Sequence, residues 1–182
     1  MPETVLKIKT FGAPALRQKA KPVDEITEYH REILSKMAGL MYSSLGIGLA
    51  ASQLGINQAM IVVDIGSGLY KLINPKVVKK EGQQINKEGC LSVPSICIKV
   101  KRAKKVMLVA KDENGKPLTI EAQDLLACVL QHEIDHLRGR LIVDYASLLD
   151  RLKIGRKLKE LKRKFKDEEL PESKTKSCQL QL

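Results

Sequence analysis

The feature that most constrains this chain is a segment that is apolar almost all round and yet carries two histidines. Residues 122–137 are predicted to form a helix, and its second half contains the pattern H-E-x-x-H from His132 to His136. A helix that is hydrophobic on every side is buried, and burying unpaired polar groups costs several kcal/mol. The fold must therefore provide partners in its core for these histidines and for the carboxylates between them.

The spacing of the two histidines favours a metal site. Side chains four residues apart lie one above the other on a helix, so both imidazoles can reach a single ion. Glu133 lies about 100° around the helix from His132, where it can contact a metal-bound water without ligating the ion. The alternative is that both histidines are core residues bonded to backbone carbonyls.

A catalytic site of this kind needs a third protein ligand and an open position for water. In the main protease families the third ligand follows the two histidines. These families use one of two downstream positions, and in this chain Ile142 occupies the first of them. Glu160 lies near the second, but it is on a basic helix that we expect to be exposed. A cysteine upstream of the helix is therefore the better candidate.

The remaining pattern predicts one α+β domain within the 182 residues. A first helix is expected from an N-cap at Asp24 to about Ser43, with His30 on its surface and without a role. Short strands follow between residues 59 and 120. The predicted architecture is short, mostly antiparallel strands packed around the central buried helix, with N-terminal and C-terminal helices.

The end of the chain is expected to differ from the rest. The domain is predicted to span residues 1–166, including an amphipathic helix at about 148–165, and residues 167–182 are predicted to be a polar, disordered tail. The net charge is +11, and residues 151–182 carry 11 basic and 5 acidic side chains. This asymmetry predicts an anionic partner for the C-terminal part, and a merely solvated face is the alternative.

Location is predicted from what the sequence lacks. No apolar run approaches the roughly 18 residues of a membrane span, and no secretory signal or transit peptide precedes the domain. Four cysteines in a chain without an export signal favour a reducing compartment. We therefore expect a bacterial cytoplasmic protein with no membrane partner.

Three motifs resemble those of the peptide deformylase family. Residues 46–53 (GIGLAASQ) match the family's G-x-G-x-A-A-x-Q, residues 88–92 match its E-G-C-L-S, and residues 131–139 (QHEIDHLRG) match its Q-H-E-x-D-H-L-x-G. Their order and spacing are those of the family, and the resemblance covers about residues 5–165. It implies a hydrolase that removes the N-formyl group from the N-terminal methionine of new polypeptides and releases formate.

The resemblance implies a metal site with one divalent ion. Cys90, His132 and His136 would be the ligands, and water or hydroxide would fill the fourth position. Fe²⁺ is implied as the natural ion, with Zn²⁺, Ni²⁺ or Co²⁺ as substitutes. A metal-bound hydroxide would attack the formyl carbon, and Glu133 would act as general base and then as general acid.

The resemblance also assigns groups around the metal. The Gln53 side-chain amide and the Leu91 backbone N–H would stabilise the oxyanion of the tetrahedral intermediate. Glu88 and Arg102 are expected to form a supporting salt bridge, and Asp135 is expected to lie just behind the metal ligands.

Selectivity for methionine requires an apolar slot beside the metal. The candidates for this slot, each of which could equally be plain core packing, are Ile47, Leu125, Cys128 and Val129. Gly46 and Gly48 would allow a positive φ or a close approach of backbone to substrate. Although these two glycines begin a dinucleotide fingerprint, no third glycine follows, and no nucleotide cofactor is expected.

Other functions remain open at this point. One alternative is a metal-dependent peptidase, and another is a nucleic-acid-binding protein with a purely structural metal site. Residues 151–166 carry nine basic side chains and one acidic, which suits ribosomal RNA phosphates. The same helix could instead pack its apolar face on the domain and merely expose its lysines.

Overall fold

The computed structural model describes residues 6–166, which contain three α-helices and seven strands. Helix α1 spans Glu28–Ser43, α2 spans Asp124–Leu137 and α3 spans Leu148–Lys166. In chain order the strands are β1 Gly48–Ala50, β2 Met60–Val63, β3 Tyr70–Glu81, β4 Gln84–Glu88, β5 Ile98–Arg102, β6 Lys105–Lys111 and β7 Pro117–Gln123. Short 3₁₀ helices lie at Pro14–Arg17, Ala51–Leu54 and Ile142–Tyr145.

The strands form two antiparallel sheets. One has five strands in the order β1-β2-β3-β6-β7, and the other consists of β4 and β5. Between β6 and β7, the Asp112 carboxylate accepts hydrogen bonds from the backbone N–H groups of Asn114 and Lys116, which closes the predicted hairpin turn. The predicted α+β class, with mostly antiparallel strands around a buried helix, is confirmed.

Helix α2 lies against one face of the five-stranded sheet. Its residues from Ala127 to Leu137 are all buried, and they share a core with inward-facing residues of the sheet such as Ile61, Leu72 and Leu108. The helix ends before Gly139, whose φ is +71°. A Cβ at Gly139 would lie 2.5 Å from the Arg17 carbonyl oxygen, so only glycine allows this close approach.

Helix α1 packs beside β1 and β2 and begins later than expected. Its N-cap is Thr27 rather than Asp24. His30, expected on the surface, is instead buried, and its Nδ1 accepts a hydrogen bond of 3.0 Å from the Thr27 backbone N–H. The ring therefore satisfies one of the free donors at the start of the helix, and the prediction that His30 lies on the surface is wrong.

A separate apolar cluster holds α3 to the domain. Leu161 is buried there, and Ile154, Leu158 and Phe165 pack against the same cluster, which includes Cys90. The predicted tail at 167–182 lies outside the described residues. Within residues 6–166, no helix combines the length and hydropathy that a bilayer crossing requires.

Candidate metal centre

Three potential ligand atoms meet beside the second half of α2. Cys90 Sγ lies 3.2 Å from His136 Nε2, and the Nε2 atoms of His132 and His136 are 3.1 Å apart. All three ligand atoms lie within 4.8 Å of one another, and all three residues are buried. The structure thus brings together the three residues that the sequence predicted as ligands.

Glu88 at the end of β4 determines which nitrogen of His132 faces the cluster. The His132 Nδ1 lies 3.0 Å from Glu88 Oε2. An ionised carboxylate can only accept, so Nδ1 carries the proton and the Nε2 lone pair remains for a metal ion. Arg102 donates to both Glu88 oxygens at 2.8 Å. Burial opposes ionisation of Glu88, but the hydrogen bonds from Arg102 and His132 outweigh it and lower its pKa to about 2.

Burial also shifts the pKa values of the other two proposed ligands, Cys90 and His136. Burial raises the pKa of the Cys90 thiol and lowers the pKa of His136 well below its usual value. A divalent cation favours the thiolate and the neutral imidazole that it ligates. One sulfur and two imidazole nitrogens form a donor set suited to Zn²⁺ or Fe²⁺, so the residues present fit a metal ion.

The Glu133 carboxyl lies beside this cluster. The residue is fully buried, and neither carboxyl oxygen has a hydrogen-bond partner within residues 6–166. Burial is the main cause that raises its pKa well above the usual value. A buried polar group without a partner is rare and costly, so this carboxyl is placed to bond with a water or a substrate.

Gly48 on β1 lies directly against that carboxyl. A Cβ at Gly48 would lie 2.3 Å from Glu133 Oε1. Similarly, a Cβ at Gly46 would lie 2.8 Å from Leu91 Cδ1. Neither glycine has a positive φ. Of the two reasons anticipated for these glycines, close approach is therefore the one that the structure shows, although what they approach is protein side chain.

The Gln53 amide is held next to Cys90. Its Oε1 accepts a hydrogen bond of 2.8 Å from the Ala50 backbone N–H, and its Nε2 donates to Ser92 Oγ at 3.0 Å. The same Nε2 is 3.7 Å from Cys90 Sγ. Leu91, the other expected oxyanion donor, directly follows Cys90, so the two donors flank the same ligand.

Ser92 was not predicted to have a role, although it ends the E-G-C-L-S motif. Its side chain is fully buried and its Oγ fixes the orientation of the Gln53 amide. The motif in which it stands was a signal that could have identified it.

A chain of polar contacts supports the metal ligands from behind. Beyond the expected Glu88–Arg102 pair, Arg102 Nη1 donates to Asp135, and the Tyr145 hydroxyl donates to the same Asp135 oxygen at 2.7 Å. The Arg102 guanidinium also lies over the Tyr145 ring, 5.1 Å from its centroid. No motif includes Tyr145, and no sequence pattern indicates its contact with Asp135.

The residues expected to form the apolar slot all belong to the core between α2 and the large sheet or pack against it. Cys128 and Val129 are fully buried in the core of the large sheet, and the partly exposed Ile47 and Leu125 pack against the same core. The Cys128 thiol donates to Glu88 Oε1 at 3.2 Å. These contacts leave Ile47 and Leu125 as the members of the set that a ligand could reach.

The downstream positions considered for a third ligand are not near the cluster. Ile142 is an apolar core residue with 1% exposure, and Glu160 is an exposed side chain paired with Arg156 at 3.3 Å. Within the described residues, the one group of three or more potential ligands is Cys90, His132 and His136.

Comparison with known proteins agrees with this geometry. A family model described as polypeptide deformylase matches residues 5–152. The peptide deformylase of Syntrophomonas wolfei is 52% identical over 143 residues, which are 79% of this chain and 94% of that protein. The crystal structure of a Legionella pneumophila peptide deformylase is similar with a TM-score of 0.83 and 39% identity, covering 92% of this chain and all of that one. A Synechococcus elongatus peptide deformylase, solved in complex with actinonin, gives a TM-score of 0.80 at 39% identity, over 86% of this chain and 90% of that one.

Proposed function

The chain belongs to the polypeptide deformylase family of hydrolytic enzymes, and from this premise we propose that it removes the N-formyl group from the N-terminal methionine of newly synthesised proteins. The observation that carries the proposal is the buried Glu133 carboxyl, which has no hydrogen-bond partner among residues 6–166 and lies beside the cluster of Cys90, His132 and His136. This arrangement provides a proton carrier next to a site for a divalent ion.

The ligands proposed for that ion are Cys90, His132 and His136. A divalent ion bound there supplies Lewis-acid activation of water for the hydrolysis of the formamide. Fe²⁺ is proposed as the native ion, with Zn²⁺, Ni²⁺ and Co²⁺ as substitutes, because the family relationship implies it and the mixed sulfur and nitrogen donors accept each of these ions.

The proton transfers are assigned to Glu133. Its carboxylate takes a proton from the attacking water and later delivers it to the nitrogen of the leaving amine. The Gln53 amide and the Leu91 backbone N–H, which flank Cys90, are proposed to donate to the oxyanion on the formyl carbon. Partly exposed Ile47 and Leu125, backed by Cys128 and Val129, are proposed to receive the methionine side chain, with Gly46 and Gly48 bordering the bound peptide.

Formate release from a formyl-Met tripeptide tests the proposal. The protein is loaded with Fe²⁺ without oxygen, and parent, Glu133→Ala and Glu133→Gln are compared at equal metal content. We expect both variants to retain the ion and to lose roughly 10²- to 10⁴-fold in kcat, the usual contribution of general acid–base catalysis. A metal-loaded parent that releases no formate would falsify the proposal.

The same protein preparation distinguishes a deformylase from a peptidase and tests whether Cys90 is the third metal ligand. Cleavage of an unformylated peptide at a rate similar to formate release would favour the peptidase alternative. Cys90→Ser is expected to lower metal affinity while leaving the protein folded, whereas Glu160→Ala, at the exposed downstream position, serves as a matched control that retains the ion. If Cys90→Ser unfolds the protein instead, the site is structural.

Helix α3 is proposed to contact ribosomal RNA, and the cytoplasm is the proposed location because the nascent substrate arises there. Lys159 and Arg163 are exposed on the side of α3 away from its packed residues, and phosphate contacts make such binding salt-dependent. Replacing both by Glu should weaken ribosome co-sedimentation at low salt, whereas Lys36→Glu with Lys87→Glu, on other elements, should not. Equal binding by both double variants would exclude α3 as the contact.

A further inference from the structure

A pocket of about 220 Å³ lies behind the candidate metal centre, near the C-terminal end of α2. It is bounded by β3, by the end of β5, by α2 and by the segment that follows α2. Arg102, Asp135 and Tyr145 line it, whereas none of the three metal ligands does. The pocket is therefore a separate concavity that shares only the supporting residues with the metal centre.

Four cations line this pocket without a carboxylate partner. They are Lys80, Lys101, Arg138 and Arg140. All four are exposed, and none forms an ion pair with an acidic side chain of residues 6–166.

The negative groups nearby do not neutralise these cations. Asp135 and Glu88 are both held by Arg102, so this buried trio has one excess negative charge. The C-terminal end of α2 adds only about half an elementary negative charge. The groups around the pocket therefore retain an excess of positive charge, and a concave surface favours the binding of anions at such a place.

Two other concavities, of about 330 and 350 Å³, lack this excess of positive charge. In the one on β3, β6 and β7, Lys79 is paired with Glu81 at 2.6 Å, and Glu121 also lines the wall. In the one beside the β6–β7 hairpin, Lys71 is paired with Glu113 at 2.6 Å. The first of these concavities also contains Lys105, so its two lysines and two carboxylates balance, whereas the pocket at the end of α2 keeps an excess of cations.

We propose that this pocket binds the phosphate group of a small phosphorylated molecule. Lys80 on β3, Lys101 on β5 and two arginines in the segment after α2 line a compact space, and guanidinium groups bind phosphate oxygens in a bidentate manner. A volume of about 220 Å³ would hold roughly seven waters at about 30 Å³ each, so it accommodates a diphosphate. Apolar walls from Val77 and Ile134 leave room for an attached organic group.

Calorimetric titration of the metal-loaded enzyme with inorganic phosphate and with pyrophosphate, at constant ionic strength, tests the proposal. A pocket variant combines Lys80→Gln, Lys101→Gln and Arg138→Gln. A control variant combines Lys36→Gln, Lys87→Gln and Lys116→Gln, which remove the same number of charges from exposed positions on other parts of the surface. Because both keep the metal centre, any anion that binds to the metal ion contributes equally to all three proteins.

The parent and the control variant should bind pyrophosphate saturably with affinities within about twofold of each other. The pocket variant should bind at least tenfold more weakly, while its melting temperature and its rate of formate release stay near those of the parent. The proposal is overturned if the parent shows no saturable binding, or if both variants lose affinity equally, since that indicates diffuse attraction to a basic protein. Binding of a short RNA, but of neither phosphate nor pyrophosphate, would also contradict it.

Discussion

Gly48→Ala adds a single methyl group next to the Glu133 carboxyl. The new Cβ would lie 2.3 Å from Oε1, 2.9 Å from the carboxyl carbon and 3.0 Å from Cγ. Nonbonded carbon and oxygen atoms do not approach this closely, and because ordinary contact begins at 3.4 Å, the carboxyl oxygen must shift by about 1.1 Å or more to reach it. Glu133 is fully buried in densely packed surroundings, and the shift therefore displaces it from its position beside the metal ligands.

The expected cost follows from that displacement. A catalytic group misplaced by about 1 Å can lose about 100-fold in rate, which is about 2.7 kcal/mol in the activation free energy. The substitution touches none of the three metal ligands, so the metal content should equal that of the parent. We therefore expect kcat/KM for formate release to fall about 100-fold with the ion retained.

The measurement is formate release from a formyl-Met tripeptide, together with metal content and thermal unfolding. Gly39→Ala is a matched control, because a Cβ at Gly39 on α1 would meet nothing within 4 Å. Gly-to-Ala in a helix interior stabilises by up to about 1 kcal/mol, so this variant should keep its activity and gain slightly in melting temperature.

Two results would refute the reasoning. If Gly48→Ala retains its ion and more than a third of the parent kcat/KM, the position of the carboxyl does not limit the reaction. If the variant instead loses its ion, Gly48 matters for the shape of the metal site and not for the placement of Glu133.

Further predictions concern the polar chain behind the metal ligands. Tyr145→Phe should speed metal release to a chelator a few-fold, since residues behind metal ligands tune affinity. Tyr42→Phe, which removes a similar hydroxyl-to-carboxylate bond on the surface, should not. The lowered pKa of Glu88, about 2 against an ordinary 4.5, contributes about 3 kcal/mol of stability. This contribution is complete above the pKa of the unfolded state and is lost as the pH falls from about 4.5 towards 2. The free energies of unfolding in urea of the metal-free parent and of metal-free Glu88→Gln should therefore converge as the pH approaches 2. A difference between these two free energies that does not change with pH would contradict the prediction.

The elements that the sequence predicted well are those whose apolar pattern directly reflects burial. Helix α2 is buried along its last eleven residues, and β2 is buried at every position. Strand β4 gave no signal because its one apolar residue, Ile85, is 67% exposed. Strand β5 alternates buried Ile98 and Val100 with exposed lysines, so the sequence does contain the alternation that is typical of a half-buried strand.

The candidate site shows a similar division between local and long-range information. The pattern from His132 to His136 indicates a metal site by helix geometry alone, but spacing cannot show that Cys90 lies within 3.2 Å of His136. That contact depends on how β4 and the loop after it pack against α2, and only the family resemblance anticipated it. Tyr145 was missed because its contact with Asp135 depends on the turn after α2, which no motif describes.

Two buried carboxylates next to the same histidine show how the fold separates structural from chemical roles. Glu88 accepts bonds at both oxygens from Arg102 and one from His132, and these keep its pKa low. Glu133 accepts none within residues 6–166, and burial raises its pKa. Carboxyl groups whose environments drive their pKa values apart are the usual sign of divided roles. A permanently ionised Glu88 can orient His132 but cannot exchange protons near neutral pH, so Glu133 is the carboxyl able to carry the proton in the proposed reaction.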